Sequence, residues 1–89
     1  MRTKNAAPIQ PAERSHLARV KESGGAVCGT GGPVDAHHIV QGLHFCTVGL
    51  CRDCHMGSEN GIHGRKTMWR IHKLDELGAL NETLRRLSA

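Results

Sequence analysis

The chain has 89 residues, of which 38% are hydrophobic, and Phe45 and Trp69 are its only aromatic residues. This length excludes more than one ordinary domain, and so small a core usually needs a metal, a disulfide or a partner subunit to offset the entropy cost of folding. The net charge of +4 is a mild basic excess, which is compatible with a nucleic-acid partner and equally with an ordinary solvated surface.

No segment is apolar over the length of a signal peptide or a membrane span. We therefore expect a protein of the reducing cytoplasm with no membrane partner. In that compartment clustered cysteines bind metal ions more often than they form disulfides. The four cysteines and seven histidines are thus the first candidates for metal ligands.

The N-terminal third of the sequence predicts a tail, a helix and a turn. Residues 1–9 are polar and unpatterned, and we expect a flexible tail there, followed by a single domain over residues 10–89. Pro11 to Glu22 predicts a helix, because Pro11 suits a first helical turn and Leu17 and Val20 share a face. Five glycines between residues 24 and 33 predict a knuckle or a tight hairpin.

Two short strands and a helical region follow. Val34 to Val40 predicts one strand and residues 46–50 a weaker second one. Cys51 to His55 predicts a turn. From Arg65 onward apolar residues recur at spacings of three or four, which is typical of helix. Gly78 interrupts that apolar face, so one bent helix and two separate helices are both open.

A Cys-x-x-Cys pair, Cys51 and Cys54, has the spacing at which two thiolates hold one tetrahedral ion. Cys28, in the glycine-rich turn, is the natural third ligand of a structural zinc site. A second Cys-x-x-Cys pair would begin at position 25, where the residue is Gly25. The fourth ligand therefore stays open among Cys46, a histidine and water. The alternative is a metal-free site of small buried cysteines.

The adjacent histidines His37 and His38 form the second chemical feature. Neighbouring residues on a strand point to opposite faces, so one imidazole can bind a metal while the other acts as a base. Taken alone, such a pair is more often two surface histidines. Thirteen residues after His38, however, comes the run Cys51-x-x-Cys54-His55. The joint arrangement is much harder to explain by chance.

Several runs of residues resemble one nuclease family. Asp-Ala-His-His-Ile-Val at 35–40 and Val-Gly-Leu-Cys-Arg-Asp-Cys-His at 48–55 look like an HNH endonuclease, also called the ββα-metal or His-Me finger family. Asn-Gly-Ile-His-Gly at 60–64 and Lys-Thr-Met-Trp at 66–69 are similar to its small phage and prophage branch, which includes a recombination-enhancement nuclease.

The resemblance covers roughly residues 11–85 and is specific from Cys28 to Trp69. It implies an α+β fold, namely a small ββα-metal domain with a zinc-knuckle-like hairpin, an N-terminal helix and C-terminal helices. It also implies a phage or prophage protein acting in the cytoplasm of a bacterial host cell.

The resemblance further implies roles for particular histidines. His38 corresponds to the general base that deprotonates the attacking water. His37 and His55 correspond to ligands of a divalent ion at the scissile phosphate, either Mg²⁺ or Mn²⁺, with Zn²⁺ and Ni²⁺ as alternatives. His63 corresponds to a histidine that this branch carries, and both metal binding and phosphate contact are open for it. His44 could approach the active site, but we expect it to be an ordinary loop histidine.

Four basic residues close in sequence to this site are candidates for binding the phosphates of DNA: Arg52, Arg65, Lys66 and Arg70. Trp69 lies among them, yet its helical spacing favours a core anchor over a base-stacking platform. Two positions depart from the family pattern. Gly25 stands where the first knuckle cysteine is expected, and Cys46 stands where many members have the middle asparagine.

The sequence thus predicts a metal-dependent endonuclease that hydrolyses DNA phosphodiester bonds with little sequence preference, in recombination or DNA processing. A separate structural zinc would be held by Cys28, Cys51 and Cys54. The alternative is a zinc-knuckle module that binds nucleic acid without catalysis, which explains the cysteines and the charge but not the histidines. A third hypothesis is an enzyme that acts only on DNA coated by a recombinase filament.

Overall fold

A two-stranded antiparallel sheet lies at the centre of the part of the chain that the computed structural model describes, residues 8–88. Its register pairs Asp35 with Leu50 and His38 with Thr47. Helices pack around it, which makes a small α+β arrangement. In chain order the elements are α1 (Pro11–Glu22), β1 (Asp35–His38), β2 (Thr47–Leu50), α2 (Arg52–Met56), α3 (Thr67–Ile71) and α4 (Glu76–Leu87). Most of the predicted tail, residues 1–7, falls outside the described residues.

The predicted first helix is confirmed with the bounds expected for it, Pro11–Glu22. Its first turn is closed by the backbone N–H of Gln10, which donates to Glu13 Oε1 at 2.8 Å. The helix ends at Ser23, whose hydroxyl donates to the carbonyl oxygen of Val20 at 2.7 Å. Both strands are confirmed as well, the first over four of its seven predicted residues and the second over four of its five. The turn predicted from Cys51 to His55 is wrong, since this segment forms the short helix α2.

The C-terminal region contains two helices rather than one bent helix, and Gly78 is not the break between them. The chain leaves α3 through Lys73, which has a left-handed backbone with a φ of 57°. Asp75 then caps α4 by accepting the backbone N–H of Gly78 at 2.7 Å. Gly78 therefore lies inside the first turn of α4. The new helix begins at Glu76, because the side chain of Asp75 satisfies one of its free backbone amides.

The core is built on β2, whose four residues are all buried, whereas β1 has one buried residue. Trp69 is the largest fully buried side chain and is 1% exposed, which confirms its prediction as a core anchor. Gly49 lies where the end of α1 approaches β2 most closely. A Cβ atom there would come within 2.6 Å of the Gly24 carbonyl oxygen. Only glycine permits this approach.

Helix α4 is fixed to β2 by the hydroxyl of Thr83, which is 1% exposed. This oxygen accepts the backbone N–H of Gly49 at 3.3 Å and donates to the carbonyl oxygen of Ala79 at 3.0 Å. Thr83→Val keeps the shape but leaves the buried N–H without an acceptor. We expect the free energy of unfolding to fall by about 1–3 kcal/mol.

Urea denaturation followed by circular dichroism measures this loss. Thr67→Val is the matched control, because the Thr67 hydroxyl bonds Glu59 at the exposed surface. Its effect is expected to stay within about 0.5 kcal/mol. Equal losses in the two variants would contradict a structural role for the buried hydroxyl.

Within residues 8–88 no helix combines the length and the apolar character that crossing a bilayer requires.

Candidate metal centres

Three histidines from different parts of the chain converge on one point. Potential ligand nitrogens of His37, His55 and His63 all lie within 4.8 Å of one another. The ring centroids are 5.1 to 5.6 Å apart. We call these residues the histidine group. Three imidazoles at this separation are positioned to hold one metal ion.

Each member is carried by a different element. His37 lies on β1 opposite Val48 and is 8% exposed. His55 lies on α2, which begins directly after β2 and so starts beside the first residue of β1. His63 lies in the loop between α2 and α3. That loop is tied back to α2 because the carbonyl oxygen of Cys54 accepts the backbone N–H of Ile62 at 2.9 Å.

Two carboxylates hold the rings of this group. Asp35 Oδ2 lies 3.0 Å from His55 Nδ1, and Glu76 Oε2 lies 2.7 Å from His37 Nε2. Each contact engages one ring nitrogen and leaves the other available. The hydrogen bond to His55, assisted by the charge of Arg52, lowers the pKa of Asp35. Carboxylates commonly fix the orientation of metal-binding histidines in this way.

Glu76 was not anticipated from the sequence, since it lies 39 residues from His37, on α4 rather than on β1. Glu76→Gln keeps a hydrogen-bond acceptor but removes the charge. Loss of such a partner typically weakens metal affinity by about 10- to 100-fold. We expect a loss in this range for divalent ions at the histidine group, measured by isothermal titration.

Glu59→Gln is the control for this substitution, because Glu59 contacts Thr67 and Arg65 and not the histidine group. Its metal affinity should equal that of the unmodified chain. Unchanged affinity in Glu76→Gln would mean that the contact with His37 does not orient a ligand.

His38 lies beside the histidine group without belonging to it. Its Nε2 is 3.0 Å from Nδ1 of His44, so the residue expected to be an ordinary loop histidine contacts His38. Burial lowers the pKa of His38, and so do the charges of His44 and His37. A lowered pKa keeps the imidazole neutral and able to accept a proton near pH 7.

One pocket of about 260 Å³ contains both His38 and the histidine group. It is lined by Ala36, His37, His38, Gln41, His55 and His63. Three consecutive residues of β1 belong to this lining. Alternation along a strand therefore does not separate the two adjacent histidines into different cavities.

The cysteines form a second group. The Sγ atoms of Cys28, Cys51 and Cys54 lie within 4.8 Å of one another, and those of Cys28 and Cys51 are 3.4 Å apart. We call these residues the thiol group. With a Zn–S distance of about 2.3 Å, sulfur ligands in a tetrahedral site lie roughly 3.8 Å apart. The thiol group therefore fits one ion of this kind.

Hydrogen bonds support different protonation states within the thiol group. Burial disfavours ionisation of Cys28, but the hydrogen bonds from Thr30, Cys51 and Cys54 together outweigh it and lower the pKa of this thiol. Burial raises the pKa of the Cys54 thiol. Cys51 Sγ accepts the backbone N–H of Cys54 at 3.3 Å. Metal binding would require these thiols to lose their protons, so occupancy depends on pH.

Cys46 does not join either group among the described residues. It precedes β2, whereas Cys51 follows it. An extended strand rises about 3.3 Å per residue, which puts the two cysteines roughly 16 Å apart. Cys46 was one candidate for the fourth zinc ligand, and this distance rules it out.

The four basic residues are all exposed and lie on two sides of the histidine group. Arg52 Nε is 3.5 Å from Asp35 Oδ2, the partner of His55. Arg65, Lys66 and Arg70 line a pocket of about 320 Å³ that also includes Glu76, the partner of His37. Positive charge therefore flanks the candidate metal site.

Comparisons with models of protein families, with curated proteins and with solved structures found no match to this chain. What the two groups can do therefore follows from their own chemistry: one is rich in imidazole, the other in thiol, and both are positioned to bind metal ions.

Proposed function

We propose that this chain is a metal-dependent endonuclease of the HNH type, which hydrolyses DNA phosphodiester bonds with little sequence preference. The observation that carries the proposal is the shared pocket of His38 and the histidine group. A hydrolytic site needs a base for the water and positive charge at the phosphate, and this pocket has residues suited to both.

His38 is the general base of the proposed reaction. Its Nε2 is engaged with His44, which orients the ring and leaves Nδ1 to take the proton of the attacking water. His37, His55 and His63 hold a divalent ion, with Asp35 and Glu76 fixing two of the rings. When bound, such an ion supplies Lewis acidity at the phosphate and stabilises charge on the leaving oxygen.

The ligand set bears on the choice of metal. The resemblance to HNH nucleases implied Mg²⁺ or Mn²⁺ first, with Zn²⁺ and Ni²⁺ as alternatives. Neutral imidazoles, however, suit zinc and nickel, whereas Mg²⁺ prefers oxygen ligands. We therefore propose that the histidine group binds Zn²⁺ or Ni²⁺ more tightly than Mg²⁺. Activity with each ion depends separately on how well the ion serves the reaction.

The exposed cations supply the contacts to DNA in this proposal. Arg52 on one side and Arg65, Lys66 and Arg70 on the other hold phosphates that flank the cleaved bond. Contacts of this kind do not read the base sequence, and they weaken as salt rises. They account for the expected lack of sequence preference. The thiol group holds a structural zinc ion, apart from the reaction.

The test is conversion of supercoiled plasmid to nicked and linear forms by the purified chain. The reaction is run with Mg²⁺, Mn²⁺, Zn²⁺ and Ni²⁺ in turn, on naked plasmid and on DNA coated with a bacterial recombinase. Cleavage of naked DNA supports the proposal directly. Cleavage of coated DNA alone identifies an enzyme that depends on the recombinase filament. Salt-sensitive binding without cleavage in every condition favours the non-catalytic nucleic-acid-binding module.

A further inference from the structure

Within residues 8–88 the thiol group has three protein ligands and no fourth. Among the described residues no histidine, carboxylate or further cysteine joins Cys28, Cys51 and Cys54. The hydroxyl of Thr30 lies 2.8 Å from Cys28 Sγ. A closed structural zinc site has four protein ligands, whereas three protein ligands leave one position for an outside molecule.

Gly25 occupies the place of the missing ligand. A Cβ atom at this residue would lie 3.2 Å from Cys28 Sγ and 3.6 Å from the backbone nitrogen of Cys51. A side chain at position 25 would therefore start beside the Cys28 thiol, which would have to shift by a few tenths of an ångström to make room. The backbone of Gly25 is not left-handed, so other residues can adopt its conformation. The missing side chain is what distinguishes this site.

The backbone around Gly25 is held firmly in place. Its N–H donates to the carbonyl oxygen of Thr30 at 2.7 Å, and its own carbonyl oxygen accepts from Gly29 at 3.0 Å. Arg86 Nη1 donates to the same carbonyl oxygen at 3.1 Å. Glu82 in turn fixes Arg86, since its Oε2 accepts from Nε at 2.7 Å. With the turn anchored to α4, the chain cannot easily shift to bring another ligand in.

We propose that the thiol group binds its metal ion through three thiolates and keeps the fourth position open to a small exogenous ligand. That ligand is water by default and is replaced by an imidazole or a low-molecular-weight thiol. The inference rests on the part of the proposed function that assigns a metal ion to this group. It does not depend on whether the chain cleaves DNA.

The test uses Co²⁺ as a spectroscopic probe in the full-length chain. Thiolate-to-cobalt charge-transfer absorption grows with the number of bound thiolates, and cobalt at the histidine group does not contribute to it. Gly25→Cys is expected to bind Zn²⁺ at least tenfold more tightly than the unmodified chain and to absorb as a four-thiolate site. Gly25→Ala is the control, because it adds the same Cβ without a sulfur atom, and it should keep three-thiolate absorption.

Adding 2-mercaptoethanol provides a second measurement that needs no substitution. The unmodified chain should gain charge-transfer absorption towards the level of Gly25→Cys, while Gly25→Cys itself should not respond. If circular dichroism shows that Gly25→Cys does not fold, the response of the unmodified chain to 2-mercaptoethanol still tests the proposal. Full four-thiolate absorption at the outset, no response to the added thiol, or no thiolate absorption at all would each overturn the proposal. Loss of plasmid cleavage would bear on the proposed function alone.

Discussion

Replacing His38 with alanine is expected to slow plasmid nicking by about 10²- to 10⁴-fold, the usual contribution of a general base. Alanine cannot accept the proton of the attacking water, and no other imidazole takes its place in the pocket, because His37, His55 and His63 are committed to the ion. Binding of Zn²⁺ or Ni²⁺ to the histidine group should persist, since His38 is not one of its members.

His72→Ala is the matched control for this substitution. His72 is exposed and caps the end of α3, away from the lining of the pocket. Its nicking rate should equal that of the unmodified chain. Thermal unfolding of both variants separates a lost base from a lost fold. Full activity in a folded His38→Ala protein would remove His38 from the mechanism.

The pH dependence provides an independent check on the same residue. A base acts in its neutral form, so the rate should rise with pH as His38 loses its proton and then level off. Because burial and the neighbouring histidines lower the pKa of His38, this rise should occur below the ordinary histidine value of about 6.5. The residual activity of His38→Ala should not show this rise with pH. A rise centred well above pH 7 would indicate a different base.

The second large effect is expected for Trp69→Ala, which removes the largest buried side chain. Truncating a buried tryptophan typically costs about 3–5 kcal/mol, whereas a small domain is stable by only about 5–15 kcal/mol. The loss is severe here because Trp69 is the only tryptophan and no tyrosine is present to share the core. We expect the variant to be largely unfolded at 37 °C or to melt at a much lower temperature.

Trp69 also supports both metal centres, which makes its replacement informative about function. Its Nε1–H donates to the carbonyl oxygen of Cys54 at 3.1 Å. The same oxygen accepts the N–H of Ile62, next to His63, and Cys54 itself belongs to the thiol group. Metal affinity at both groups should therefore fall together in Trp69→Ala, whereas His38→Ala affects neither.

Urea denaturation followed by circular dichroism measures the stability, since removing the only tryptophan also removes its fluorescence. Trp69→Phe keeps an aromatic ring but loses the N–H donor, and it should fall between Trp69→Ala and the unmodified chain. Ile71→Ala, on the same helix and 63% exposed, is the surface control, with an expected change within about 0.5 kcal/mol. Similar losses for Ile71→Ala and Trp69→Ala would contradict the role of Trp69 in the core.

Much of the architecture could be predicted from local patterns. Pro11 and the spacing of Leu17 and Val20 define α1, because helix formation depends on neighbours three and four residues apart. The two strands followed from their short β-branched runs. One bent helix and two helices were both open for the C-terminal region, and the structure has two. Asp75, three residues before Gly78, is the side chain that caps the second helix.

The candidate sites, too, were predictable where their residues are close in sequence and less so where distant elements meet. Cys51 and Cys54 are close because three residues separate them at the start of one helix, so their spacing alone predicts a shared ion. The sequence also singled out His37, His38, His55 and His63, which share one pocket. It carried no sign of the contact from Glu76 to His37, and the approach of His44 to His38 was the less favoured of the two interpretations open for that residue.

The sequence by itself thus determined which residues can bind metal and that Cys51 and Cys54 share a site. Side-chain chemistry belongs to single residues, and the geometry of a Cys-x-x-Cys pair belongs to a single short segment. Only the tertiary structure decided which carboxylate faces which ring and that Cys46 lies at the far end of β2. It also decided that Gly25 lies against the thiols. Those relations depend on how α4, β2 and the glycine-rich turn pack together, and packing between elements distant in sequence leaves no periodic pattern in the chain.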